Sequence, residues 1–399
     1  MKNPQLAPVP APSVPLLDLK AQYRPLRGAI EAVIREVCES QHFIMGPQVL
    51  ELEKKIAAYS NTGFGIGVSS GTDALLVALM ALDIAPGDEV VTTTYSFFAT
   101  GGVIARLGAR PVFCDIDPDT YNIDPEAVSR YLRNCRRQGE HAVNPETGAK
   151  VKAIMPVHLF GQVADMEPLG ELAAEYRLSL VEDAAQAIGS EAASGTRAGS
   201  IGDIGCFSFF PSKNLGAFGD AGMCVTGSEP LAERLRILRL HGASPKYHHS
   251  FVGGNFRLDA LQAAVLNVKL GHLDEWTAAR RKNAERYTRI LNDLNVPVRT
   301  PDVEKDGRHI FNQYVVETDA RDALQAFLAE RRIGSEVYYP VPLHLQKCFA
   351  YLKYRPGDCP VAERAALRTL ALPVYPELSR EQQDHVIDSI VAFFDSRAR

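Results

Sequence analysis

Lys213 lies in FFPSKNLGAFGDAG, residues 209–222, directly after an aromatic run that reads as a strand. Phe209, Phe210 and Pro211 hem it in, and desolvation disfavours the charged form of a lysine. A neutral amine is what a lysine needs to bond a carbonyl carbon covalently. The plain alternative is a lysine on a surface loop. Ser208, five residues earlier, can reach a phosphate. In VEDAAQA, residues 181–187, Glu182 and Asp183 end an apolar strand. A carboxylate buried there is costly unless it is paired. A protonated ring nitrogen is a suitable partner for Asp183. Ala185 is small enough to lie under a flat ring, and Gln186 can bond a ring oxygen. A capped strand end with a buried salt bridge would also account for the acids.

Two further segments fit the same chemistry. SSGTDALL, residues 69–76, runs from a strand through Gly71 into a helix. Helix N-terminal N–H groups attract an anion, and Gly71 lets the backbone come close. Thr72 can add a hydroxyl. Ser70 or Thr72 could instead be an ordinary helix cap. YSFFAT, residues 95–100, follows the next strand, and Phe97 can stack on a flat ring or simply pack in the core. An anion cradle, a stacking ring, an acid for a ring nitrogen and a lysine are together the needs of pyridoxal 5'-phosphate.

The elements that must position these residues are short β-rich runs alternating with helices. Seven runs are legible: GIGVSS, DEVVTTTY, ARPVFCDID, VKAIMPVHL, LSLVEDAA, IGCFSFF and AGMCVTG. Near-continuous apolar strands between helices indicate an α/β fold, a mostly parallel seven-stranded sheet sandwiched by helices. Ligands of such sheets bind at the strand ends. Residues 26–60 read as helix broken at SQHFIMGP, and the polar stretch 134–150 reads as a surface loop. Beyond residue 229, LDALQAAVLNVKLGHLDEWTAARRKNAERYTRIL reads as one long helix linking two domains. NQYVVET and GSEVYYPV read as strands of a small α+β C-terminal domain. The division expected is a flexible lead over 1–14, a large cofactor-binding domain over 15–270 and a small domain over 271–399.

Composition narrows the class. The chain has 399 residues, 46% hydrophobic and 23% charged, as in ordinary globular proteins. A net charge of -5 argues against nucleic acid or an anionic membrane as partner. Seven scattered cysteines form no CxxC pair, which suggests neither a disulfide framework nor a metal site, and a cytoplasmic location fits. The Pro-rich start lacks a signal peptide's apolar core. No apolar run approaches the ~20 residues needed to span a bilayer.

From PLLDLKAQY at residue 15 to LPVYPEL ending at residue 378, the chain resembles the DegT/DnrJ/EryC1/StrS nucleotide-sugar aminotransferases. FIMGPQVLELE, GDEVVTTTYSFFAT, PVFCDIDPDTYNID, PVHLFGQVADM, GGNFRLDALQAAVL and YYPVPLHLQ carry the likeness beside the segments above. The resemblance implies a fold type I aminotransferase and a homodimer with shared active sites. It implies Lys213 as the lysine that bonds the cofactor, Asp183 on the ring nitrogen, Gln186 at the ring hydroxyl and Phe97 stacked on the ring. Gly71, Thr72 and Ser208 would hold the phosphate, with Asn255 reaching the phosphate of the neighbouring subunit. A dehydratase of the same fold carries His at the lysine position, so Lys213 favours amino transfer. L-glutamate is the expected donor and a nucleotide-linked keto-sugar the acceptor. The likeness is strongest to enzymes acting on 3-keto sugars, including UDP-linked 3-keto-N-acetylglucosamine, whose products feed lipid A or O-antigen. A 4-keto sugar or a non-catalytic regulatory protein are the alternatives. Lys246, Tyr247 and His248 in SPKYHHS, with Arg257, are candidate contacts to the nucleotide. Tyr338, Tyr339 and His344 are candidates to close over the sugar, and His158 reads as structural.

Overall fold

The computed structural model of the protein describes residues 12–139 and 141–397. Two helices come first, α1 (Leu19–Ser40) and α2 (Pro47–Tyr59). The α/β region follows as β1 (Phe64–Val68), α3 (Gly71–Ala81), β2 (Asp88–Thr93), α4 (Ala99–Arg106), β3 (Arg110–Cys114) and α5 (Pro125–Asn134). It continues with β4 (Arg136–Gln138), β5 (His141–Val143), β6 (Lys150–Met155), α6 (Met166–Tyr176), β7 (Ser179–Asp183), β8 (Ile204–Ser208), β9 (Gly222–Thr226) and α7 (Glu229–Leu238). Then come α8 (Ala260–Leu270), α9 (Leu273–Asp293), β10 (Tyr314–Glu317), α10 (Arg321–Glu330), α11 (Pro360–Arg368), β11 (Thr369–Leu372) and α12 (Arg380–Arg397).

All seven expected runs become strands, in the order β1-β9-β8-β7-β6-β2-β3. Only β9 runs against its neighbours, pairing antiparallel with both β1 and β8. The fold is the expected α/β type with a mostly parallel sheet. Successive strand residues serve opposite faces, as the pleat requires. Val91, Ile154, Leu180, Phe207 and Met223 join one core with residues of α2, α5, α6 and α8. Val90, Ala153, Val181, Cys206 and Cys224 join the other with residues of α3 and α7. Both faces are covered, so the strands are buried along most of their length.

Three readings need correction. The stretch 134–150 is not plain loop: β4 and β5 form a hairpin, and β5 extends the sheet to nine strands through β6. Tyr131, Asn144 and Thr147 all hydrogen-bond the buried Glu89 carboxylate, anchoring this hairpin. The long helix is two, since α8 stops at Leu270 and α9 restarts at Leu273 around Gly271. GSEVYYPV is not a strand: the partner of β10 is β11, antiparallel. The Tyr95 hydroxyl satisfies the Tyr338–Tyr339 backbone instead, donating to Tyr338 O at 2.7 Å and accepting from Tyr339 N–H at 3.1 Å.

A further core draws on α9, α10, α12, β10 and β11 through Ala284, Tyr287, Leu324, Val386 and Phe393. The lead read as flexible over 1–14 lies outside the described residues up to residue 11. Its last residue, Val14, is fully buried in this core and exchanges backbone hydrogen bonds with Arg332 and Gly334. Among the described residues, no helix is long and apolar enough to cross a membrane.

Candidate active site

The C-terminal ends of β1, β2, β7 and β8 share one edge of the sheet. Each delivers one of the expected segments there. After β1, Ser70 caps α3 by accepting from Asp73 N–H at 3.0 Å, so the helix starts at Gly71. A Cβ on Gly71 would lie 2.5 Å from Ser208 Cβ, so only glycine lets these two strand ends meet. Thr72 is exposed beside them. Gly71, Thr72 and Ser208 therefore stand around one free helix N-terminus. Beneath it, Gly67 N–H donates to Glu53 at 2.8 Å and Gly67 O accepts from Arg239 at 2.9 Å. Glu53 and Arg239 form a buried ion pair that holds the end of β1.

Asp183 and Glu182 end β7 side by side but face opposite ways. Asp183 accepts from the Thr100 hydroxyl at 2.8 Å and from Ala185 N–H at 3.2 Å. Burial pushes its carboxyl above the usual range, while the Thr100 bond, the Ala185 N–H and the Lys213 charge pull it back. Thr100 lies in the expected YSFFAT segment, yet its role is not legible there. Its tie to Asp183 spans 83 residues of chain. Ser96 bonds Thr100 in turn at 2.9 Å.

Glu182 serves the fold. It accepts from His158 Nε2 at 2.8 Å and from Gly199, Ile201 and Gly202 N–H at 2.7, 2.7 and 2.6 Å. Ala164 N–H donates to His158 Nδ1 at 3.1 Å, which assigns the ring proton to Nε2. His158 is thus structural. Glu182→Ala would leave three backbone donors and His158 unpaired. We expect a loss of about 3–5 kcal/mol in denaturant unfolding, with Glu182→Gln milder. A change below about 1 kcal/mol would show that the loop finds other acceptors.

Lys213 lies in the turn after β8, its N–H bonded to Phe210 O at 2.9 Å. Phe209 is buried, but Phe210 is exposed, so the expected enclosure by both rings is only partial. Burial lowers the Lys213 pKa to about 8, against the opposing pull of Asp183. Below that pH the ammonium dominates; above it the free amine does. Capture of pyridoxal phosphate by cofactor-free protein should therefore accelerate through pH about 8 and level off above it. Asp183→Asn removes the charge that raises Lys213, so the midpoint should move down. A flat profile from pH 7 to 9, read as the rate of colour development, contradicts this assignment.

Phe97 is 58% exposed, and its ring centre is 6.4 Å from that of Tyr339. Phe98 instead stacks on Phe349. Gln186 accepts from Phe160 N–H at 2.7 Å and donates to Tyr339 OH at 3.0 Å. Phe97, Tyr339 and Gln186 thus form one wall. Tyr338 lends its carbonyl to Tyr95 and packs partly buried. His344 is buried: Nδ1 bonds Thr94 at 2.5 Å and Nε2 bonds Glu363 at 3.2 Å, leaving no ring nitrogen for a sugar. Lys246, Tyr247 and His248 form an exposed loop, with Tyr247 79% exposed. Asn255 is exposed and bridges Leu240, while Arg257 pairs with Val68 at the end of β1. Among the described residues, no hydrogen bond or ion pair joins Lys246, Tyr247, His248 or Asn255 to the wall or cradle groups.

The groups present fit pyridoxal phosphate: a glycine-only cradle at a helix N-terminus, an exposed ring, a buried carboxylate and a lysine of lowered pKa. The sequence profile of the DegT/DnrJ/EryC1/StrS aminotransferase family matches residues 26–391. A pleiotropic regulatory protein of Geobacillus stearothermophilus is 50% identical over 96% of this chain and 99% of its own length. The UDP-N-acetyl-3-dehydro-alpha-D-glucosamine 3-aminotransferase of Acidithiobacillus ferrooxidans is 43% identical over 93% and 95%. The crystal structure of DesV of S. venezuelae, in complex with a ketimine intermediate, superposes with a TM-score of 0.89 at 40% identity, covering 96% of this chain and 99% of DesV. With Lys213, Asp183 and the cradle in place, the chain belongs to the DegT/DnrJ/EryC1/StrS aminotransferase family and is a pyridoxal-phosphate-dependent aminotransferase.

Proposed function

We propose that the protein moves an amino group from L-glutamate to C3 of a UDP-linked 3-keto-N-acetylhexose, serving lipid A, O-antigen or a related sugar. The observation that carries amino transfer is Lys213, whose charge burial disfavours, set at the same sheet edge as Asp183. The 3-keto-sugar name of the Acidithiobacillus relative supports the acceptor. When bound, pyridoxal phosphate supplies a carbonyl carbon that takes up the amino group and a ring that accepts electrons. Gly71, Thr72 and Ser208 hold its phosphate, and Phe97 covers one ring face. Asp183 keeps a proton on the ring nitrogen, and Thr100 fixes Asp183. Gln186 meets the ring hydroxyl. Lys213, as the free amine, would be the base that takes the proton from the donor's α-carbon.

We further infer a homodimer. Lys246, Tyr247, His248 and Asn255 of one subunit complete the site of the other, with Arg257 at its rim. Their exposure, beside the exposed Phe210, Phe218 and Val252, supports this reading. Mixed dimers of Lys213→Ala and Asn255→Asp subunits should then recover part of the activity that each variant lacks alone. A cytoplasmic site of action accords with this chemistry.

The substrate test pairs the loaded enzyme and glutamate with 3-keto and 4-keto sugar nucleotides. Product from the 4-keto sugar alone overturns the C3 assignment, and product from neither overturns the substrate class. A non-catalytic regulator is the second reading, since the Geobacillus relative carries a regulatory name. Such a protein needs neither a reactive Lys213 nor Asp183, and this chain has both.

A further inference from the structure

Arg280 of α9 is 2% exposed. Its Nη1 donates to the carbonyls of Val374, Phe311 and Asn312 at 2.9, 3.1 and 3.4 Å. Among the described residues its Nε and Nη2 have no hydrogen-bond partner, and no carboxylate pairs with it directly. Glu377 acts on it through space, and burial lowers its pKa to about 10, so it is charged at neutral pH. A buried guanidinium without an anion is costly, and such groups are normally paired.

The charge borders a cavity of about 80 Å³, lined also by Leu17, Ser212, Gln313 and Tyr338. Ser212 immediately precedes Lys213, and Tyr338 precedes Tyr339, whose hydroxyl bonds Gln186. The cavity is thus lined by the chain neighbours of Lys213 and of Tyr339. The space is larger than a single water needs, so it can take a carboxylate. Lys246, weighed for the nucleotide, lies in an exposed loop.

We propose that Arg280 and this cavity are the carboxylate site of the amino donor, separate from the place of the sugar nucleotide. The guanidinium binds a carboxylate of the donor while its amine is presented to the Lys213 side. This deepens the amino-transfer reading and rests on it. It also explains how one lysine serves two unlike substrates: a small dicarboxylate is held on the α9 side, and the larger acceptor needs no contact there.

The test uses the holoenzyme and no sugar. Glutarate is titrated calorimetrically, and single-turnover amine uptake from L-glutamate is followed by absorbance. Arg280→Gln should weaken both by about 100-fold, the loss expected for charged hydrogen bonds. The reverse half-reaction, from the aminated sugar, should stay within about threefold. Because Arg280→Gln also loosens three carbonyls, Leu17→Phe provides a second route, filling the cavity while sparing Arg280. It should show the same selective loss. Equal losses in both half-reactions for Leu17→Phe, or unchanged glutarate binding in a folded Arg280→Gln, overturns the site. Wild-type protein that binds glutarate yet aminates no keto-sugar keeps this inference and overturns the substrate reading.

Discussion

Lys213→Ala should reduce turnover by at least about 10⁴-fold, because under the proposed function one side chain both bonds the cofactor and moves the proton. The variant should fold, since Lys213 makes no side-chain hydrogen bond to the described residues and its burial opposes its charge. It should also lose the visible absorbance that the wild type gains with pyridoxal phosphate. Borohydride should fix the cofactor to wild-type protein at Lys213 and leave the variant unlabelled. Lys213→Arg should be equally inactive, since arginine stays charged at any working pH. Retention of a tenth of wild-type activity by either variant would falsify the assignment.

Asp183→Asn should cost about 10³-fold in turnover, the scale of losing a preorganised charge in a water-poor site. The amide cannot hold a proton on the ring nitrogen as the carboxylate does. Thr100→Val should give a partial form of this defect, about tenfold, because the carboxylate survives but loses one donor. Thr100→Ser should restore most of it. Glu182→Gln is the internal control: it shares the strand with Asp183 but belongs to the stability network, so its effect should fall on unfolding and spare the rate. Steady-state kinetics and denaturant titration on the same four variants separate the two roles. If Asp183→Asn lowers stability while leaving turnover within a few-fold, Asp183 is structural too.

The features readable along the chain were those set by neighbours in sequence. The apolar runs of β1, β2, β3, β6, β7, β8 and β9 are local, and so is the Ser70–Gly71 turn. The edge at which Gly71, Phe97, Asp183 and Lys213 gather follows from parallel strands whose ends point the same way. What escaped was set by partners far apart in sequence. Tyr95 bonds the Tyr338 backbone 243 residues away and replaces a ladder that alternation alone had suggested. His344 looks like a free histidine in YYPVPLH, but Thr94 and Glu363 take both its nitrogens. Arg280 is one of several arginines in a polar helical run, and only its burial sets it apart. Thr100 stands in a segment where the aromatics drew attention. The 134–150 stretch lacks any periodicity, and its hairpin depends on Glu89, a strand residue outside it.

The back-to-back orientation of Glu182 and Asp183 imposes a parity rule on β7. Inserting or deleting one residue upstream within the strand would swap the two acids between the compartments. The His158 side would then receive the shorter aspartate, and the cofactor side a glutamate reaching one methylene too far. Length changes in this strand are therefore tolerable only in steps of two. Deep mutational libraries containing one- and two-codon indels should show β7 as a stretch where odd changes vanish and even ones are at least occasionally recovered.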